Sequence, residues 1–210
     1  MAALKRLLSP GRGSVARGFC LIMPYAAWMA MMAILPQTAY FYALRGAVTA
    51  LMLFAVPRAY DLVFRGIVDK FSLRVVGAGI FVGLAVLVVW IAPEMWFGVG
   101  QEVAASDSPY SPQVCGWALT IAKLAASALV IPIAEELFFR RWLVDFAGFW
   151  WMVALFAVEH GDRWHVGAVT GIVYGVIAKR FGLASSIVAH VVTNLGLGLI
   201  VILDDRWQFW

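Results

Sequence analysis

Six side chains in the second half of the chain could do chemistry, and all sit where the sequence is otherwise apolar. Glu135 and Glu136 follow Pro132 in a run that ends at Arg140. On a helix, Glu136 and Arg140 are four residues apart and share a face, so they can pair. Glu135 is rotated about 100° away. The two carboxylates therefore do different jobs. One is tied to an arginine and stays ionised; the other is free to face a cavity and act as a general base. Pro132 lacks an N–H, vacates the carbonyl of Ala128 and tends to kink the helix just before the glutamates.

The remaining candidates come from two later stretches. His160 closes the run Phe156-Ala157-Val158-Glu159-His160. His190 and Asn194 are four residues apart inside another apolar run, so both point at the same place. Each cluster has a plain structural reading: an interfacial ion pair, an interfacial histidine, an interhelical hydrogen-bond pair. A charge in the bilayer core is costly, however, and marks a functional hypothesis. No His-Glu-x-x-His helix is present. Glu135, His160 and His190 could still converge as a three-ligand zinc site. Asn194 argues for a cofactor-free site instead. It is a poor metal ligand and a good hydrogen-bond donor, which suits an oxyanion stabiliser. His165 falls off the face of His160 if the helix continues.

Composition fixes what must position these groups. Of 210 residues, 63% are hydrophobic and 13% charged, against roughly 25% charged in an ordinary soluble domain. A soluble globular protein, a disordered chain and a disulfide-stapled module are excluded. The expected fold is an all-α, polytopic transmembrane bundle of about seven helices, one integral membrane domain over 1–210. Its apolar runs are roughly Phe19–Leu35, Ala39–Val56, Leu73–Ala92, Gly116–Ala134, Phe149–Val158, Val166–Ala178 and Leu183–Leu203. The fifth and sixth are short for a span of ~20 residues. Gly79 and Gly83, and Gly167, Gly171 and Gly175, have the spacing of close helix packing.

Charge sets the orientation. Lys5, Arg6, Arg12 and Arg17 precede the first run, and Arg58, Arg65, Lys70 and Arg74 follow the second. The loop Pro93–Val114 carries Glu94, Glu102 and Asp107 but no Lys or Arg. By the positive-inside rule the N-terminus is cytoplasmic, the acidic loop outside, Lys179 and Arg180 inside, and the C-terminal tail outside. Arg163 alone runs against this pattern. The first run, without a small-residue cleavage site after it, reads as an uncleaved span. Trp90, Trp96, Trp207 and Trp210 suit an interfacial aromatic belt. The net charge of +4 reads as topology and gives no reason to expect nucleic acid. Cys20 and Cys115 fall at opposite faces, too far apart to bridge.

Taken together, Glu135-Glu136-x-x-x-Arg140, Phe156-x-x-x-His160 and His190-x-x-x-Asn194 resemble the three motifs of the CPBP family, the CAAX amino-terminal proteases and bacteriocin-processing enzymes also called the Abi family. The resemblance covers about 114–203, which would be the protease core. The ending Asp205–Trp210, the stretch Tyr42–Arg45 and the length also look like the branch found in bacteria with exosortase systems. The resemblance implies an intramembrane endopeptidase of the bacterial inner membrane. Its helical bundle would surround a cytoplasm-facing cavity, and its substrate would be a protein or lipidated peptide met within membrane lipid. Glu135 with His160 would activate water, His190 and Asn194 would form the oxyanion hole, and Glu136 and Arg140 would hold the site in shape. Two departures stand out: Arg141 where relatives often have glycine, and Glu159 where a small residue commonly precedes the histidine.

Depth poses a problem. Glu135 and His190 lie near the cytoplasmic edge, whereas His160 ends a short run from that same side. The fifth helix must start deep for the three to meet. Two rival functions remain, a metal-dependent form of the protease and a non-catalytic transporter or scaffold. Lys123, inside the fourth run, suits ion coupling and keeps the latter open.

Overall fold

The computed structural model describes residues 12–54, 72–97 and 102–210. Lys5, Arg6, Arg58, Arg65 and Lys70 lie outside the described residues, as do the side chains of Arg12, Arg17 and Trp96. Every described element is helical. Helix α1 is Arg12–Ile34 and α2 is Ala39–Phe54. Helix α3 is Leu73–Phe97, and α4 is a single turn, Pro112–Cys115. A long rod α5 runs over Trp117–Ala147. It is followed by α6 (Phe149–Glu159), α7 (Trp164–Phe181) and α8 (Leu183–Leu203). Short 3₁₀ turns at Gly161–Arg163 and Trp207–Phe209 complete the chain.

Among the described residues, three helices are long and apolar enough to cross a membrane: Leu73–Glu94, Trp117–Ala147 and Leu183–Leu203. Their outward faces are lined with large apolar side chains such as Phe81, Ile121, Leu129 and Leu199. Water would not tolerate that surface and lipid does. The chain is a multi-pass integral membrane protein built as an all-α bundle. Cys20 and Cys115 are not joined by a disulfide.

Glycine sets the turns and the closest approaches. Gly148 (φ +94°) and Gly182 (φ +92°) adopt conformations closed to most residues, and each lets the chain reverse within one position. Helices α6 and α8 therefore begin immediately after α5 and α7 end. The Gly79/Gly83 pair faces α8: a Cβ at Gly83 would lie 2.5 Å from the Ala189 carbonyl, and one at Gly79 would lie 2.7 Å from Val188. The four-residue spacing is thus a groove for a neighbouring backbone, and Thr193 Oγ1 crosses it to donate to the Gly83 carbonyl at 2.7 Å. Replacing Gly83 with alanine should destabilise the α3–α8 contact by about 1–3 kcal/mol, the usual cost of overpacking. The check is a lowered thermal midpoint in detergent, with Gly77→Ala, which meets nothing within 4 Å, as the unchanged control.

Candidate functional site

The rod α5 supplies most of the unusual groups, and its backbone is irregular on both sides of them. Normal helix stops at Ala125, a π-helical turn covers Ala126–Val130, one and a half α turns carry Ile131–Glu136, and a second π turn covers Leu137–Leu143. Such turns are rare and cluster at functional sites. Proline explains the consequence of the first. The Ile131 N–H bonds back to Ala126 O rather than to Ser127 O, and the next residue, Pro132, has no N–H. The vacated acceptor is therefore the Ser127 carbonyl, one position earlier than regular helix geometry predicts at Ala128. Asn194 Nδ2 donates to it at 2.9 Å from α8. An amide nitrogen carries two hydrogens, so one remains for other work.

The two glutamates separate as their helix phase requires. Glu136 is fully buried, and its Oε1 lies 3.3 Å from Arg140 Nη1 and 3.0 Å from His190 Nδ1. The Arg140 guanidinium also rests 4.0 Å above the Phe156 ring. Glu135 points elsewhere, with its Oε2 3.7 Å from His190 Nε2. His190 is thus held between both carboxylates, its ring 5.1 Å from that of Tyr174. With Glu136 ionised against Arg140, His190 donates a hydrogen bond from Nδ1 to Glu136 and turns Nε2 toward Glu135.

His160 reaches the same region because α6 is short. Its eleven residues rise only about 16 Å, and the chain turns through Gly161 (φ +56°) before α7 begins. Glu135 sits twelve residues from the end of α5 at Ala147, about 18 Å from the same end of the bundle. A truncated helix, not a deep start, resolves the depth problem. His160 Nδ1 lies 2.6 Å from the Phe156 carbonyl, which places the proton on Nδ1 and leaves the Nε2 lone pair free. Gly167 packs against the ring, since a Cβ there would be 3.0 Å from Nδ1.

A cavity of about 250 Å³ collects these groups. Glu135, His160, His190 and Asn194 line it, with Lys123, Ser127, Trp90, Phe156, Thr170, Tyr174, Leu197, Phe209 and Trp210. Four of the six sequence candidates face one space. Glu136 and Arg140 stand behind it, joined to His190. The exposed His165 is not part of it. Glu159, the unexpected carboxylate, accepts a hydrogen bond from Tyr25 Oη of α1, and its other oxygen is 3.9 Å from His160 Nδ1. Tyr174 and Trp90 were not singled out by the motifs. Tyr174 had a signal, because Thr170 and Tyr174 repeat at four residues on a face otherwise made of glycine. Trp90 had none beyond its place near a span end.

Among the described residues, no three His, Cys, Asp or Glu side chains are placed to share an ion. Glu135, His160 and His190 border one space without converging on a point.

These features define a class: a multi-pass membrane protein whose helices enclose a polar, carboxylate- and histidine-lined cavity. One comparison with known proteins bears on the family. Residues 117–196 match the family model described as Type II CAAX prenyl endopeptidase Rce1-like. The matched segment holds all three motifs and supports the resemblance read from them. No curated protein and no solved structure matches the chain.

The Ser127–Asn194 bond gives a structural test. Asn194→Ala leaves a buried carbonyl without a donor and should cost about 1–3 kcal/mol of stability. Ser127→Ala keeps the backbone acceptor and should change little. Thermal unfolding of the two variants in detergent distinguishes them.

Proposed function

We propose that the protein is an intramembrane endopeptidase that hydrolyses a peptide bond with water activated by Glu135 and His160. The substrate would be a protein or lipidated peptide presented from the membrane, as in CAAX-type C-terminal processing. The observation that carries this reading is the convergence of Glu135, His160, His190 and Asn194 from separate segments on one cavity. A water there would donate one hydrogen bond to Glu135 and another to His160 Nε2. Glu135 takes a proton as the water oxygen forms its bond to the carbonyl carbon. His190, carrying a proton on each ring nitrogen with Nδ1 directed at Glu136 and Nε2 at the cavity, and the second Asn194 N–H would receive the developing oxyanion. The C–N bond then breaks, and the proton held by Glu135 passes to the leaving amine. Glu136 and Arg140 act through His190, by fixing its orientation.

The cavity walls also bear on access. They come from Trp90, Lys123, Leu197 and the C-terminal turn, and none comes from the Lys179–Leu183 end. With the orientation read from charge, N-terminus inside and C-terminal tail outside, this space extends toward the outer half of the membrane. That differs from the cytoplasm-facing cavity the resemblance implies. We adopt the charge-based orientation and place substrate entry on the outer side.

Two experiments test the reading. Purified Glu135→Gln, His160→Ala and His190→Ala proteins should each lose at least about a hundredfold of peptide cleavage, the scale of general acid–base catalysis, while keeping a cooperative thermal transition. Gly167→Ala, which crowds His160, should lose activity without loss of fold. Near-normal turnover by Glu135→Gln would sink the assignment. For orientation, Asp107→Cys and Asp145→Cys in a Cys20→Ser/Cys115→Ser background should differ in intact cells. A membrane-impermeant maleimide should label position 107 only, and the reverse pattern would place the cavity toward the cytoplasm.

A further inference from the structure

A groove of about 410 Å³ lies between α3 and α7 and shares no residue with the cavity around Glu135. Ala78, Phe81 and Val82 form one wall, and Ile172, Val176 and Arg180, spaced four apart on one face of α7, form the other. Every wall residue except Arg180 is apolar. Phe81, Ile172 and Val176 are exposed, so the groove opens sideways from the bundle, which in a membrane protein means toward hydrocarbon.

The length of the groove selects what fits it. Its α7 wall runs from Ile172 to Phe181, nine steps and about 14 Å of helix. The hydrocarbon core is ~30 Å thick, so the groove covers one leaflet. A partner helix crossing the membrane would leave half its length outside the groove, whereas an acyl chain of one leaflet would fill it.

One end of the groove is cationic. Arg180 belongs to the last turn of α7. Arg74 stands four residues before Ala78, on the same face of α3. Both arginines are exposed, and among the described residues neither has a carboxylate partner. Arg141 differs: it borders a separate pocket and is paired with Asp145 at 2.6 Å. With the orientation read from charge, this end is cytoplasmic, where the leaflet carries anionic lipid.

We propose that the α3–α7 groove is a binding site for an anionic phospholipid. One acyl chain would lie along Ile172 and Val176, and Arg180 with Arg74 would hold the phosphate. A guanidinium presents a planar fork to two phosphate oxygens, and its aliphatic stem lies against apolar surface while the head stays at the interface. A zwitterionic headgroup would bring its own cation to the same place and gain less. The site stands apart from the protease reading and needs no catalysis to be detected.

The test uses the full chain in detergent, with dioleoyl phosphatidylglycerol and dioleoyl phosphatidylcholine added in equal amounts and bound lipid counted by native mass spectrometry. The two lipids share their chains, so the comparison reads the headgroup. The first phosphatidylglycerol should bind at least about tenfold tighter than phosphatidylcholine. Arg74→Gln with Arg180→Gln should bring the two lipids level, and Arg141→Gln should leave the preference unchanged. Val176→Trp, which fills the groove without altering charge, should weaken phosphatidylglycerol binding by a similar factor. Excess inorganic phosphate should not displace the lipid. Equal binding of the two lipids by the unaltered chain, or a preference that survives the double arginine variant, overturns the proposal. So does an equal loss in Arg141→Gln, undiminished binding in Val176→Trp, or displacement by inorganic phosphate. A dimer that Val176→Trp dissociates would make the groove an interface between copies and overturns it as well. The substituted side chains are all exposed, a cooperative thermal transition checks each variant, and the headgroup comparison in the unaltered chain needs none of them.

Discussion

Glu136 bears on more of this molecule than any other side chain. It has no exposed surface, and a single oxygen meets Arg140 from its own helix and His190 from α8. A buried charge left without its partner costs about 3–5 kcal/mol, so the bundle cannot easily separate α5 from α8 or rotate either one. Arg140 in turn spreads over Phe156 of α6. Three helices are locked in phase by one ionised group. The phase is what turns His190 Nε2 and Glu135 toward the same space. Tyr25, reaching from α1 to Glu159, adds a fourth helix to the arrangement.

Lipid leaves no spare hydrogen-bond partners, and this shapes the backbone as well. The π turn and Pro132 together strip the Ser127 carbonyl of its helical donor. A soluble protein would offer water there. Here Asn194 answers from the next rod. The side chain that suits an oxyanion hole by its type is also a brace for a broken helix. The proposed oxyanion role would use the same orientation, because the amide has two hydrogens. The irregular backbone lies against a polar cavity, which is where a membrane bundle tolerates it.

Helix phase made much of this legible. The split between Glu135 and Glu136, the Glu136–Arg140 pair and the shared face of His190 and Asn194 all follow from spacing, because they are local. The glycine grooves follow for the same reason. What spacing could not give was anything set by distant contacts. The π turns move the vacated carbonyl from Ala128 to Ser127. The exit of His160 at mid-depth depends on where α6 stops. The Tyr25–Glu159 bond joins residues 134 positions apart. Lys123 suits ion coupling by its type, and its aromatic cage comes from Tyr42, Tyr110 and Trp210, which no local pattern connects.

The same reasoning favours the proposed catalytic cavity over a conduction path. A path for ions needs exchangeable partners spaced along its length. Here the carboxylates are concentrated at one end, with one of them immobilised by Arg140 and His190, and another by Tyr25. Only Glu135 faces the space without a hydrogen-bond donor of its own among the described residues. In the proposed reaction, a free carboxylate beside a histidine whose Nδ1 proton is pinned to a carbonyl would move a proton over one step. The cage around Lys123 points the same way, since three rings at 3.9 to 4.8 Å hold a cation in place.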